Sequence, residues 1–376
     1  MIKQLLKCCT ILIIIAAVFI GQTSFASSNT NQDEYDYYNK LKKISEKFSN
    51  DDFYKNISEG ILSNKKQDKA FLIKNIVNNI FKEIDLTFSQ VLIIMIICLI
   101  YSILFNVQNS FKTAEVSKAT FYAFLLVIVT IVLKNLEGVL KLTYSTLSKS
   151  TSFIESLTPI VLTVLASSGY ITYATVINPL IAFSVVFSSQ ILLNLVTPIS
   201  SIYLLISIIA NIDERVNLKK LLGFIKTLIL WCAIFGLAVF TGLISVEGFT
   251  GASVDNFTAK SIKYTVGNFV PVVGKILSDA ADAIAGSLSL VKNTTTVFGL
   301  VFLLLIIGIP LLKILIISFV FRLASSLIEI YSDKKFAQFM SDYADNLMIL
   351  FAVVFASMAL FLISFTAILF TVQIGR

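Results

Sequence analysis

Val297–Phe321 reads VFGLVFLLLIIGIPLLKILIISFVF, and Lys313 is its only charged residue. A helix needs about 20 predominantly apolar residues to cross the roughly 30 Å hydrocarbon core of a bilayer, and this run supplies them. Working outward, Phe88–Val107, Leu221–Val246 and Leu347–Thr371 read the same way, and Ala119–Leu133 gives a shorter run. The whole 376-residue chain follows suit: 56% of it is apolar, only 14% is charged, and its mean hydropathy is +0.86. Soluble domains carry about 25% charged residues. The composition therefore predicts an all-α polytopic membrane protein and excludes a string of soluble domains.

The net charge of +7 is spread over the segments between these runs. There it bears on orientation in the lipid bilayer and does not form a nucleic-acid footprint. Histidine is absent. That removes Ser-His-Asp triads, Cys-His pairs and His-ligated metals from consideration. Cys8 and Cys9 lie in a segment expected to be removed, while Cys98 and Cys232 sit in separate apolar runs. No disulfide framework follows from so few.

The N-terminus has the organisation of a signal peptide. Lys3 and Lys7 give a basic start, Ile11–Ile20 a short apolar core, and Ser24 and Ala26 the small residues that precede a cleavage point. Residues 1–26 are thus expected to be cleaved, although an uncleaved anchor is the competing reading. Residues 27–87 are the one polar stretch. Tyr37, Tyr38, Leu41, Ile44 and Phe48 recur at helical spacing, as do Ile73, Ile76, Val77, Ile80, Phe81 and Ile84. They predict an extracytoplasmic domain of amphipathic helices, either a cap on the membrane domain or a docking module.

The membrane domain then occupies 88–376. Within 157–212, Pro159, Pro179 and Pro198 each follow Thr or Asn. An N-cap residue before Pro at the first helical position suggests three short helices starting there. One full span plus a re-entrant hairpin is the alternative. The total is about eight transmembrane helices. With residue 27 outside, loops 108–118, 213–220 and 322–346 fall in the cytoplasm. Lys112, Lys118, Arg215, Lys219, Lys220, Arg322, Lys334 and Lys335 make them dense in positive charge. The segments 134–156 and about 247–296 are expected outside, the latter in part re-entrant.

Gly267–Lys275 resembles a phosphate loop only superficially. Six residues separate Gly267 from Gly274, and Ile276 follows Lys275, where a P-loop has four residues and then Ser or Thr. ATP-driven work would therefore fall to a partner. After this turn, Ile276, Leu277, Ala280, Ile284, Leu288 and Val291 form an apolar helical face opposite Ser278, Asp279, Asp282, Ser287 and Ser289. Gly267, Asn268, Pro271, Gly274, Asp279 and Asp282 are the candidate packing or conduit residues of this segment. The acids equally suit a helix lying at the membrane surface. Gln190, Asn194 and Lys313 are the candidate polar groups within spans. Lys313 is nine residues from Arg322, about 13 Å along a helix, so its side chain serves function or snorkels to the surface. Gln190 and Asn194, four apart, suit hydrogen bonding between helices.

The run GNFVPVVGKILSDAADAIAGSLSLVKN at 267–293 resembles the stage III sporulation protein AE family. So does GIPLLKILIISFVFRLASSLIEI at 308–330, along with the Asn178-Pro179 helix and Ser245-Val246-Glu247-Gly248. The likeness extends from about residue 90 onward. It implies an integral subunit of a channel or secretion-like complex between mother cell and forespore, needed for spore development and late forespore gene expression. It implies residence in the mother-cell membrane surrounding the forespore. The implied partners are the other stage III sporulation A proteins, including the AA ATPase, and stage II sporulation protein Q across the intermembrane space. It carries over no catalytic residue, cofactor or metal, and no enzymatic activity is expected. A self-sufficient permease for a small metabolite is the alternative, disfavoured by the few polar groups within the expected spans. An intramembrane enzyme is the weakest reading.

The mature chain is expected to begin at Ser27. N-terminal sequencing of the membrane-bound protein checks this, and an intact Met1 or Ile2 would restore the anchor reading.

Overall fold

The computed structural model describes residues 69–110, 114–167, 169–212, 218–245, 254 and 273–370. The signal-peptide segment and most of the polar stretch lie outside the described residues. Those described form helices with no strand among them. In chain order they are α1 (Lys69–Ser110), α2 (Ala114–Ser167) and α3 (Ile171–Val186). A π-helical segment, Phe187–Val196, joins α3 to α4 (Thr197–Ile212). Then come α5 (Lys219–Leu243), α6 (Val273–Tyr331) and α7 (Lys334–Phe370).

Among the described residues, six helical stretches are long and apolar enough to cross a membrane, where the sequence suggests about eight over the whole chain. Three differences separate the fold from that reading, and the first two lower the count. First, Pro159 lies inside α2 and Pro179 inside α3. Pro198 follows Thr197, whose φ −60° and ψ −46° continue the helix out of the π-helical segment. An interior proline forfeits one backbone bond, whereas ending a helix leaves four N–H and four C=O groups to satisfy. In apolar surroundings the single loss is the smaller cost. The chain does break at Gly169, whose φ of +87° a glycine adopts freely. There Tyr170 N–H donates to Leu165 C=O at 3.0 Å and Gly169 N–H to Ala166 C=O at 3.1 Å, closing the end of α2.

Second, the expected external loop 134–156 is the interior of α2. Leu136, Val139, Leu147, Phe153 and Ile154 are buried at helical spacing, and the Glu137–Lys141 ion pair occupies the exposed side. Third, the expected loop 322–346 is a helical hairpin. Only Ser332 and Asp333 separate α6 from α7. Asp333 Oδ1 accepts the Lys335 N–H at 2.9 Å, an N-cap that starts α7 at once.

α6 has 59 residues, about 88 Å at 1.5 Å per residue, so only part of it fits within a bilayer core. Residues 276–291 and the span after them belong to this one helix, with no loop at 292–296 between them.

The α6–α7 hairpin is the centre of the bundle. Over an apolar 18-residue run within α6 and within α7, 78% and 61% is buried, against 22% over the corresponding runs of α1 and α5. α1 and the start of α2 pack beside the hairpin turn. Tyr331 Oη donates to Met95 C=O and Ser332 Oγ to Cys98 C=O, both at 3.1 Å. The Tyr101, Phe121 and Phe336 rings cluster there. The far part of α2 reaches the other end, where Phe153 meets Phe302. Gly299 of α6 leaves room there for Phe365, since a Cβ would fall 2.8 Å from that ring.

Gly236 of α5 admits the buried Phe187 ring, and any added Cβ would overlap that ring. Gly236→Ala is expected to cost about 1–3 kcal/mol through overpacking. Thermal unfolding in detergent checks it, and adding Phe187→Leu should recover part of the loss.

Candidate functional site

The most polar part of the bundle lies where α4 ends, α5 begins and the α6–α7 hairpin turns. α7 enters as FAQFMSDYADN, residues 336–346. Phe336, Phe339, Met340, Tyr343 and Ala344 are buried and fix the helix in place. That packing turns Asp342 and Asn346 inward, four residues apart on one face.

Asp342 is buried and held by neutral donors. Asn211 Nδ2 donates to its Oδ2 at 2.8 Å and Ser207 Oγ at 3.1 Å, while Gln338 Nε2 donates to Oδ1 at 2.8 Å. Asn211 Nδ2 also reaches Ser207 C=O, tying the amide to α4. One turn on, Asp345 collects the positive charges. Arg322 of α6 pairs with its Oδ1, and Lys226 of α5 with its Oδ2 at 3.2 Å. The two acids thus have different partners: Asp345 has cations, and Asp342 has amides and a hydroxyl. Ser318 and Ser325 donate to Ala344 and Ala337 C=O, at 2.9 and 2.7 Å, and fix the hairpin register.

A cavity of about 530 Å³ opens beside this cluster. Asn211 and Gln338, both partners of Asp342, line it, and Lys219, Lys334, Lys335 and Glu329 stand around it. Such a rim suits a carboxylate or phosphate, and the amide-lined wall suits water or a small polar solute. Among the described residues, no group of three His, Cys, Asp or Glu could hold a metal ion.

The residues expected from the sequence fall elsewhere. Lys313 lies half-buried inside the apolar stretch of α6. Gln190 and Asn194 are exposed on the π-helical segment and meet each other, Nδ2 of Asn194 lying 3.3 Å from Oε1 of Gln190. Among the described residues they form no hydrogen bond to another helix. Gly274, Asp279 and Asp282 lie in the first turns of α6. Gly267, Asn268 and Pro271 lie outside the described residues. The acids at 342 and 345 escaped the sequence reading because 322–346 was assigned to a loop. They are in a stretch apolar enough to span, which also corrects the expectation that spans hold few polar groups. Their signal was there: Ser207 and Asn211, and Asp342 and Asn346, each four apart among apolar residues.

Asp345→Ala leaves Arg322 and Lys226 without this partner. Both ends of the Arg322 pair are partly exposed, so the cost should fall between exposed and buried pairs, about 1–3 kcal/mol. A double-mutant cycle with Arg322→Ala, read by thermal unfolding, should give a coupling well above zero. Strict additivity would make the pair energetically idle.

The family model for stage III sporulation protein AE matches residues 49–372. The chain is 27% identical to stage III sporulation protein AE of Bacillus subtilis (strain 168) over 278 residues, covering 74% of this chain and 69% of that protein. No solved structure matches the chain.

Proposed function

The chain belongs to the stage III sporulation protein AE family, and from that premise we propose that it is an integral membrane subunit of a mother cell–forespore channel. The family match over 49–372 carries this reading, because it takes in every described helix. The apolar helices support placement in a membrane, here the mother-cell membrane around the forespore. The other stage III sporulation A proteins would be its neighbours, with the AA member as the ATPase. That division of labour fits a sequence whose one glycine-rich loop departs from the phosphate-binding spacing. Stage II sporulation protein Q would face it across the intermembrane space. In this orientation the basic rim of Lys219, Lys334 and Lys335 lies on the cytoplasmic side, as positive charge next to spans favours. The subunit works as scaffold and conduit and performs no catalysis.

The cavity beside Asp342 favours one second reading, a self-sufficient permease for a small solute. Affinity capture of the tagged full-length protein from sporulating cells separates the two. Co-purification of other stage III sporulation A proteins, with loss of late forespore gene expression on deletion, is the expected result. Capture of the protein alone, together with solute uptake by the purified chain in liposomes, would favour the permease.

A further inference from the structure

Polar side chains do not stop at Asp342. On α7, Asp342, Asn346, Ser357 and Ser364 are spaced 4, 11 and 7 apart, all close to whole turns of a helix, and all four are buried. The facing line runs down α4, the π-helical segment and α3: Asn211, Ser207, Ser200, Thr197, Ser188 and Ser184. The two lines meet antiparallel. Asn211 and Ser207 bond Asp342, and Ser200 Oγ donates to Asn346 Oδ1 at 2.8 Å. Ser364 Oγ lies 3.5 Å from Ser184 Oγ. From Asp342 to Ser364 is 22 residues, about 33 Å along the helix, which matches the thickness of a bilayer core.

This seam is polar but underbonded. Among the described residues, six buried side-chain polar atoms lack a protein partner, and four lie on the seam: Asn346 Nδ2, Thr197 Oγ1, Ser188 Oγ and Ser357 Oγ. Asn346, Ser188 and Ser357 are fully buried. Leaving such an atom dry forfeits its hydration with nothing in return. A bridging water makes nearly full hydrogen bonds to it at a smaller ordering cost. Hydroxyls used only as glue between helices would pair with each other. The orphaned atoms follow one another along a single line that ends at the cavity, where Asn211 and Gln338 line both.

We propose that the seam between α3–α4 and α7 is a hydrated proton path, entered from the cavity and carrying Asp342 as its proton-holding group. Water and hydroxyls relay protons by exchange: each oxygen accepts one proton and releases another, with no redox change. Asp342 is the carboxylate in the seam. Of the charges near it, Arg322 of α6 and Lys226 of α5 pair with Asp345 of α7, while Lys219 of α5, Glu329 of α6 and Lys334 and Lys335 of α7 line the adjoining cavity. From α4 it meets Ser207 and Asn211, with Tyr203 nearby, and from its own helix Gln338. This inference rests on the seam and is independent of the partners proposed above.

The test uses purified full-length protein in liposomes containing a pH-sensitive dye. A potassium diffusion potential, negative inside, drives protons inward. Acidification well above that of protein-free liposomes is expected, several-fold lower in Asp342→Asn and unchanged in Thr241→Val, whose hydroxyl bonds its own helix on the exposed side of α5. In a background with all four native cysteines replaced, Ser357→Cys should make the flux sensitive to silver ions, which reach a buried thiol through water. Absence of flux in the wild type overturns the proposal whatever the variants do. So does Asp342→Asn that loses thermal stability yet keeps the flux per folded protein, since that marks a packing role alone. Insensitivity of a conducting Ser357→Cys protein to silver would place any flux elsewhere and equally overturn the seam.

Discussion

Everything in this bundle is arranged around the close antiparallel contact of α6 and α7. The contact exists because Asp333 caps α7 two residues after α6 ends, so the second helix starts before the chain can leave the first. The pair is mostly buried, and the other helices are peripheral to it. Lipid is as apolar as leucine, so no hydrophobic force drives helices together inside a bilayer. Close packing must do it, which explains the interlocking at Gly299–Phe365 and Gly236–Phe187. There, the missing side chain on one helix admits a ring from another.

Polar groups follow the same logic in reverse. Each polar side chain buried in the bundle needs a partner, and the hairpin decides which partners exist. Arg322 and Asp345 are 23 residues apart in sequence and meet because α6 and α7 run antiparallel. Asp342 meets Ser207 and Asn211 because α4 lies against α7. An ion pair on the partly exposed side and neutral hydrogen bonds on the buried side give the two acids separate environments within a single turn of helix.

A comparable division appears along α2. Its middle carries Lys134, Glu137 and Lys141, which argue against a span if read as composition. Read by position, the same residues lie on the outer side of a helix whose other side packs against α6 and α7. Composition averages the two faces, while burial separates them. The prolines teach the same lesson: a proline signals where a helix could begin, and the surroundings decide whether it does.

The sequence by itself determined the class of protein: 56% apolar residues with so little charge leave no soluble alternative, and helices are what an apolar chain forms when its backbone must satisfy itself. It also determined the family, through long runs of side-chain identities. The apolar cores of α1, α5, α6 and α7 were legible for the same reason, since hydropathy is a local property. The continuity of α2 through Pro159, the hairpin at Ser332–Asp333 and the polar site at Asp342 were decided by tertiary structure. Each depends on a comparison between distant segments. A proline is kept inside a helix because a helix end there would have no partners, and a carboxylate is buried because donors from α4 wait for it. Local sequence encodes what a residue can bond. Only the fold, by bringing residue 211 to residue 342, determines what it does bond.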